Sequence, residues 1–354
     1  MDDVIVRAPV FPATQGFVKN AWYVIAFSRE VGSGSLLRRQ CCDDDLVLFR
    51  SQSVEAVALY DRCPHRGVPL SQGRVVEGAV QCAYHGLEFG KDGMCTRIPT
   101  QPTIPQQMRV HSYPLVERAQ FIWIWPGDPA KADPSLLPDH HRLGLEREGW
   151  SVQPYFMLEI RSNYSMLFEN LLDTSHISFL HGRAIDSGRM ATASFRTEHD
   201  GNVMRLIRSL KDDMPNENNA KQYSLELGVP FHRELTSEAQ LPNLHVIRNE
   251  FTFPSRPGHD EHVRINVMPI TPATSRLHYH FLTMTSSYKE DHPQSLQDAM
   301  ESVLSEDKVV LEAIQELYDR RGPDLPEVSV KADEAAMRAR RIIAGMVEEE
   351  RRAG

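Results

Sequence analysis

The chain has 354 residues, 41% hydrophobic and 25% charged, with 23 Pro and 20 Gly scattered rather than repeated, which excludes fibrous and disordered classes and suggests a two-domain globular protein. A net charge of -9 without clustered Lys and Arg argues against a nucleic-acid partner. No run approaches the roughly 20 apolar residues of a membrane span, and the Met1-Asp2-Asp3 start lacks the basic and apolar pattern of a secretory signal, so a cytoplasmic location with no membrane association is expected.

Residues 17–130 carry short apolar segments punctuated by turn residues, which predicts a small all-β domain with strands near 22–27, 46–50, 56–60 and 120–125. In the last of these Trp123 and Trp125 alternate with Ile122 and Ile124, so both faces are apolar and the strand is expected to be central or interfacial. Residues 128–139, rich in proline and mixed charge, form the expected linker. Over 131–354 the pattern changes to a strand near 152–160, a helix over 164–180, strands near 203–210, 244–253, 262–269 and 276–285, and a helical final 60 residues whose charged end, 348–352, suits a solvated helix terminus. The expected fold class is α+β, an N-terminal all-β domain followed by an antiparallel sheet packed against helices.

Five cysteines, an odd number without an export signal, point to metal binding or buried thiols rather than a disulfide framework. Cys41, Cys42 and Cys95 carry no motif and read as core or surface thiols. The other two lie in Cys63-Pro64-His65 and Cys82-Ala83-Tyr84-His85, separated by sixteen residues. Zinc fingers pair Cys with Cys and His with His in sequence, whereas each arm here supplies one of each. A Rieske [2Fe-2S] centre needs two thiolates on one iron and two imidazoles on the other, which two mixed arms can provide. Gly67 and Gly86 fit loops whose backbone passes close to sulfur. The alternative is two unrelated Cys-His pairs in turns.

A second constellation is Asn170-Leu171-Leu172-Asp173-Thr174-Ser175-His176, followed by His181. Two histidines and a distant carboxylate would make a facial triad for non-haem iron. Five residues apart on a regular helix, His176 and His181 point about 140° from each other, so they can share a metal only if the helix loosens or ends, and Gly182 makes an ending plausible. Along 300–318 the apolar residues Met300, Val303, Leu304, Val310, Leu311, Ile314 and Leu317 form one helical stripe, and Asp307 falls within it. A carboxylate on a buried face needs a partner or a metal, so Asp307 is the candidate third ligand, with a salt-bridged core Asp as the alternative; Glu306 lies about 100° toward the polar side. Asp173, three residues before His176, could accept a hydrogen bond from that imidazole, and Asn170 is a weaker candidate for lining the site.

Both motifs, in this order, resemble the Rieske non-haem iron oxygenase α-subunits, above all the vanillate and dicamba O-demethylase oxygenases. The likeness extends over Asn20-Ala21-Trp22-Tyr23-Val24, Cys63-Pro64-His65-Arg66-Gly67, Gln81 to Gly86, Phe121 to Trp125, Glu169 to His181, Ser305-Glu306-Asp307-Lys308 and Ala332-Asp333-Glu334-Ala335-Ala336. It implies a Rieske domain over 17–130 and a helix-grip, START-like catalytic domain over 131–354. Cys63 and Cys82 are then implied on one cluster iron, His65 and His85 on the other, and His176, His181 and Asp307 on a mononuclear Fe(II). Asp173 is implied to bridge the two centres between subunits of a homotrimer.

With no dinucleotide fingerprint in the chain, electrons from NAD(P)H are expected through a separate reductase or ferredoxin. The expected reaction is O2-dependent O-demethylation of a methoxylated aromatic acid, with ring hydroxylation or N-demethylation as alternatives and a Rieske electron carrier as the non-enzymatic one. Asn243, His245, Arg248, Met268, His278 and His280 are the residues expected near a substrate pocket, His278 and His280 because they share a strand face.

Overall fold

The computed structural model describes residues 6–7, 16–182, 186, 188–255, 262–289, 293–322 and 325–353. The chain separates into two compact units. One comprises Phe17–Leu137 with Thr271–Thr274; the other comprises Pro138–Ile270 and Ser275–Gly354 together with the N-terminal segment. The division thus falls after Leu137, inside the proline-rich stretch, rather than at 130.

The first unit is built of three small antiparallel sheets. β2 (Tyr23–Phe27), β10 (Leu115–Arg118) and β11 (Phe121–Ile124) form one, with the Trp-rich β11 as its middle strand. β3 (Leu37–Cys41), β4 (Asp44–Arg50) and β5 (Ala56–Tyr60) form the second, and Cys42 and Asp43, both at positive φ, make the two-residue hairpin turn between β3 and β4. β6 (Arg74–Val76), β7 (Ala79–Gln81), β8 (Glu88–Phe89) and β9 (Cys95–Arg97) form the third. Val47, Phe49, Leu59, Leu70, Val80 and Phe89 pack into one core that also contains Cys63, Cys82 and Cys95. Cys41 and Cys42 are buried as well, so of the core and surface readings of these thiols the core one applies. The linker folds into two single turns, Pro129–Lys131 and Pro134–Leu136, each begun by an aspartate, Asp128 or Asp133, whose carboxylate caps the turn.

The second unit centres on a seven-stranded sheet in the order β12 (Ser151–Ile160), β18 (Leu277–Ser286), β17 (His262–Thr274), β16 (Leu244–Thr252), β15 (Phe231–Gln240), β14 (Val203–Asp213), β13 (Phe195–Asp200). Its helices are α1 (Tyr164–Leu172), α2 (Ile177–Leu180), α3 (Glu217–Tyr223), α4 (Pro293–Arg321) and α5 (Glu334–Ala353). α1 packs on β15, α4 on β12 and α5 on β14, which is the expected antiparallel sheet with helices.

Three expectations need correction. The helix predicted over 164–180 is two helices, because the chain leaves α1 at Asp173. The final 60 residues are helical except where a short strand, β19 (Glu327–Val328), pairs with β1 (Val6–Arg7) between α4 and α5. The apolar stripe of α4 is narrower than predicted: Met300, Val303, Leu304 and Leu311 are buried, while Val310, Ile314 and Leu317 lie at its solvent margin. The buried row that does run the length of contact is Met300, Leu304, Asp307, Leu311 and Gln315, an i, i+3/i+4 pattern with two polar members. Among the described residues no helix is long and apolar enough to cross a membrane.

Candidate active site

In the first unit the two cysteine arms have the same backbone despite their different spacings. Cys63 N–H donates to Val68 O (2.9 Å) and Gly67 N–H to Cys63 O (2.9 Å); Cys82 N–H donates to Leu87 O (2.8 Å) and Gly86 N–H to Cys82 O (3.1 Å). Each loop closes through a glycine at positive φ, +78° for Gly67 and +70° for Gly86, a conformation L side chains rarely adopt. The histidine stands two residues after the cysteine in one arm and three in the other, yet the rings meet with centroids 4.6 Å apart. Both thiols are buried in the apolar core and both imidazoles are exposed.

Burial, and then the adjacent Cys82 thiol against the pull of nearby backbone amides, push the Cys63 thiol up to about 11. Thiolates in this core therefore require a strong positive charge beside them. Two buried sulfurs on one side and two neighbouring imidazoles facing solvent on the other fit a [2Fe-2S] cluster with mixed ligands.

The second unit brings His176, His181 and Asp307 together, one donor atom of each lying within 4.8 Å of the others. The two histidines share a site because the helix is interrupted. Asp173 caps α1 in extended conformation, its carboxylate accepts hydrogen bonds from Ser175 N–H (2.8 Å) and Ser175 Oγ (2.6 Å), and the chain then makes a single turn, α2, with His176 before it and His181 after it. Gly182 follows at φ +50°. The geometric objection to a five-residue spacing is thereby removed.

Orientation of both rings follows from what their Nδ1 atoms meet. His176 Nδ1 lies against the Asp173 carbonyl, and His181 Nδ1 is 2.8 Å from Glu306 Oε2. A carbonyl and a carboxylate can only accept, so each Nδ1 carries the proton and each Nε2 keeps its lone pair. Both Nε2 atoms face Asp307 Oδ1, at 3.6 Å from His176 and 3.3 Å from His181. Asn170 Nδ2 donates to the same Oδ1 at 3.0 Å.

Two sequence expectations change here. Asp173 does orient His176, but through its backbone carbonyl, because its carboxylate turns back to cap Ser175. Glu306, expected on the polar side, reaches back from the edge of α4 to His181. Burial holds His176 below the usual imidazole range; at His181 burial acts in the same sense but the Asp307 and Glu306 carboxylates outweigh it and raise that imidazole. A carboxylate, 2% exposed, converging with two Nε2 lone pairs is a donor set suited to a divalent iron.

These groups open on a cavity with about 570 Å3 of atom-free space, part of it continuous with solvent. Leu171, Ile177, Leu235, Ile247, Met268, Met300, Val303 and Leu304 give it apolar walls, and Tyr223, Arg233, Asn249, Arg264 and Asn266 give it a polar section. Of the residues expected near a pocket, Met268 lines it. Arg248 points to the other face of β16 and pairs with Glu250 (2.7 Å), since side chains alternate along a strand. Asn243 belongs to the β15–β16 turn, His245 is on the face of Ile247 and Asn249 but is buried against Ser237 Oγ (2.8 Å), His278 is anchored on the Ser162 carbonyl (2.9 Å), and His280 is buried beside them on β18.

Comparisons with known proteins agree with this layout. The family described as Rieske [2Fe-2S] domain matches residues 21–114, and that described as Vanillate O-demethylase oxygenase C-terminal domain matches residues 160–349. The oxygenase component of dicamba O-demethylase from Stenotrophomonas maltophilia is 32% identical over 350 residues, covering 92% of this chain and 97% of that protein. The iron-sulfur subunit of the toluene-4-sulfonate monooxygenase system from Comamonas testosteroni is 28% identical over 335 residues, covering 90% and 93%.

Crystal structures of dicamba monooxygenase, each 28% identical, superpose with a TM-score of 0.85 for the form bound to 3,6-dichlorosalicylic acid (95% of this chain, 99% of that one) and 0.81 for the form with non-heme iron and dicamba (96% and 100%). An isolated electron carrier would have no use for the second domain. The chain belongs to the Rieske non-haem iron oxygenases, enzymes with a [2Fe-2S] cluster and a mononuclear iron, as an oxygenase component of the vanillate and dicamba O-demethylase type.

Proposed function

We propose that this chain is the terminal oxygenase of a monooxygenase that removes a methyl group from a methoxylated, vanillate-like aromatic acid. The carrying observation is the convergence of two Nε2 lone pairs and a buried carboxylate at an apolar-walled cavity that also contains cationic side chains. His176, His181 and Asp307 would hold Fe(II), while Cys63 and Cys82 would hold one cluster iron and His65 and His85 the other. When bound, these metals supply the two-electron reduction of O2 that oxidises the methyl group.

The side chains have separable tasks. Asn170 fixes the Asp307 carboxylate so that one oxygen stays turned toward the imidazoles. The Asp173 carbonyl and Glu306 fix the ring tautomers. Leu171, Ile177 and Val303 exclude water and leave the methoxy carbon facing the metal ligands. The balance is ArOCH3 + O2 + 2 electrons + 2 protons giving ArOH, formaldehyde and water. A reductase or ferredoxin acting on NAD(P)H would supply the electrons, and in a homotrimer Asp173 would bridge this subunit's mononuclear site and the neighbouring subunit's cluster.

The test is product analysis with purified chain, a competent reductase and a panel of methoxybenzoates. One formaldehyde and one phenol per O2 consumed is expected. Absence of formaldehyde from every member overturns the proposal, and a ring-hydroxylated product with the methoxy group intact replaces it with the hydroxylase alternative.

A further inference from the structure

The sheet side of the cavity comes from alternate residues of β15, β16 and β17, which stand in register as rows. Ser237, Ile247 and Asn266 form one row; Leu235, Asn249 and Arg264 the next; Arg233, Phe251 and His262 the next. The first row lies beneath the metal-ligand segment. Ser237 Oγ donates to Leu171 O (2.7 Å), and Ile177, the residue after His176, packs with Leu235 and Ile247. Successive rows are two residues apart along a strand, roughly 7 Å. Arg264 therefore stands one row, and Arg233 two rows, away from the metal-ligand end.

Both arginines are buried, 1% exposed for Arg264 and 6% for Arg233, and both line the cavity. Each guanidinium carbon lies 5.0 Å from the centre of the same ring, Tyr223. Arg233 is held in place by Asn249 Oδ1, which accepts from its Nε (2.9 Å) and Nη2 (2.6 Å), and by the Tyr223 hydroxyl (3.2 Å). Two guanidinium groups held against one ring in the cavity wall present planar donors of the kind that bind carboxylate and sulfonate oxygens. In the row nearer the metal ligands, Asn266 is also buried, and its Oδ1 has no hydrogen-bond partner among the described residues. One row is about the span of a methoxybenzoate from methyl carbon to carboxylate.

We propose that Arg233 and Arg264 are specificity residues that select a single-ring substrate by its oxyanion substituent, and that Asn266 accepts a hydrogen bond from a ring hydroxyl next to the methoxy group. The proposal rests on the reading of this cavity as an aromatic oxygenase site. It assigns the acid-recognising groups to the sheet, remote from the metal ligands.

The test is calorimetric binding to the anaerobic holoenzyme, with 3-methoxybenzoate, 3-methoxybenzenesulfonate, neutral methyl 3-methoxybenzoate and 4-hydroxy-3-methoxybenzoate. Loss of one charge-assisted contact corresponds to roughly 10- to 100-fold in affinity. The anions should bind about that much more tightly than the ester, and whichever of carboxylate or sulfonate binds better identifies the oxyanion. Arg264→Gln and Arg233→Gln should each lose that factor for the anions and leave the ester unchanged, with Arg264→Lys recovering part of it. The ring hydroxyl should strengthen binding, and Asn266→Leu should erase that gain.

An ester that binds as well as the acid overturns the proposal without need of any variant, as does an equal loss for ester and acid in the Arg→Gln variants. Formaldehyde assays run alongside separate the two claims. Arginine-dependent binding of the acid without formaldehyde leaves these residues assigned and removes the O-demethylase reading. Formaldehyde released equally fast from ester and acid keeps that reading and removes this one.

Discussion

Replacing Glu306 by alanine should weaken iron binding at the mononuclear site without touching a ligand. Glu306 Oε2 is 2.8 Å from His181 Nδ1, so the variant removes the group that holds the imidazole in its Nε2-donor tautomer. Losing such an outer partner typically costs 10- to 100-fold in metal affinity, about 1.4 to 2.8 kcal/mol. The Glu306 side chain is 44% exposed, so water screens its charge and can replace part of its acceptor role, which places the expectation near tenfold. Glu306→Gln keeps an acceptor oxygen and should fall between the unmutated chain and Glu306→Ala. His176 provides an internal reference, because its orienting acceptor is the Asp173 carbonyl, which no side-chain substitution removes. The assay is an anaerobic Fe(II) or Co(II) isotherm on protein whose mononuclear site has been emptied by chelation, with the cluster's EPR signal confirming that the first unit is intact. A Glu306→Ala isotherm within about twofold of the unmutated chain refutes the reasoning.

Three further outcomes are expected. Burial pushes His245 and His280 down to about 3 and His262 and His278 to about 4, so the fold keeps them neutral while the unfolded chain takes up protons below about 6.5. The unfolded state then binds more protons between pH 6.5 and 4, stability rises with pH across that window, and each histidine contributes up to about 1.4 kcal/mol per pH unit; a melting temperature flat from pH 7 to 4.5 would contradict this. Arg340, buried between α5 and α1, donates to Glu169 Oε1 (2.8 Å) and Glu327 Oε2 (2.8 Å), so Arg340→Met should cost about 3–5 kcal/mol in denaturant unfolding, with most of it restored by adding Glu169→Gln. Gly86→Ala would place a Cβ 3.2 Å from Pro99 at φ +70°, costing about 1–2 kcal/mol in the cluster loop; iron and acid-labile sulfide content per chain should fall, and unchanged content would show that the loop tolerates the strain.

The groups most legible in the sequence are those whose chemistry demands a rare residue at fixed spacing. Cysteine and histidine in two mixed arms have few structural reasons to occur together, and the arms close into two loops of one geometry. Asp307 was legible because it interrupts an apolar helical row, a contradiction that only a partner or a metal resolves. Glu306 was not, because an exposed acid beside a buried one looks like solvated surface until the fold bends His181 back toward it. The break between His176 and His181 was half visible: Gly182 marks where α2 ends, but the cap that ends α1 is made by Asp173 and Ser175, residues equally at home on a helix surface.

The arginines explain why the cavity wall was the hardest part to read. β15, with Arg233, Leu235, Ser237 and Ala239 alternating along it, carries charged and polar side chains at positions that in a structural strand would be apolar, so its period-2 signal is erased and no strand was expected there. On β16 the same effect inverted the register. Arg248 looked like the pocket residue because it is charged, whereas the wall is formed by its neighbours Ile247 and Asn249, and Arg248 satisfies itself against Glu250 on the opposite face. A sheet face that binds a polar ligand violates the hydrophobic pattern by which sheet faces are recognised. A strand that composition alone fails to identify is therefore a place to look for specificity, and of the catalytic sheet's two unpredicted strands, β13 and β15, it is β15 that lines the cavity and carries Arg233.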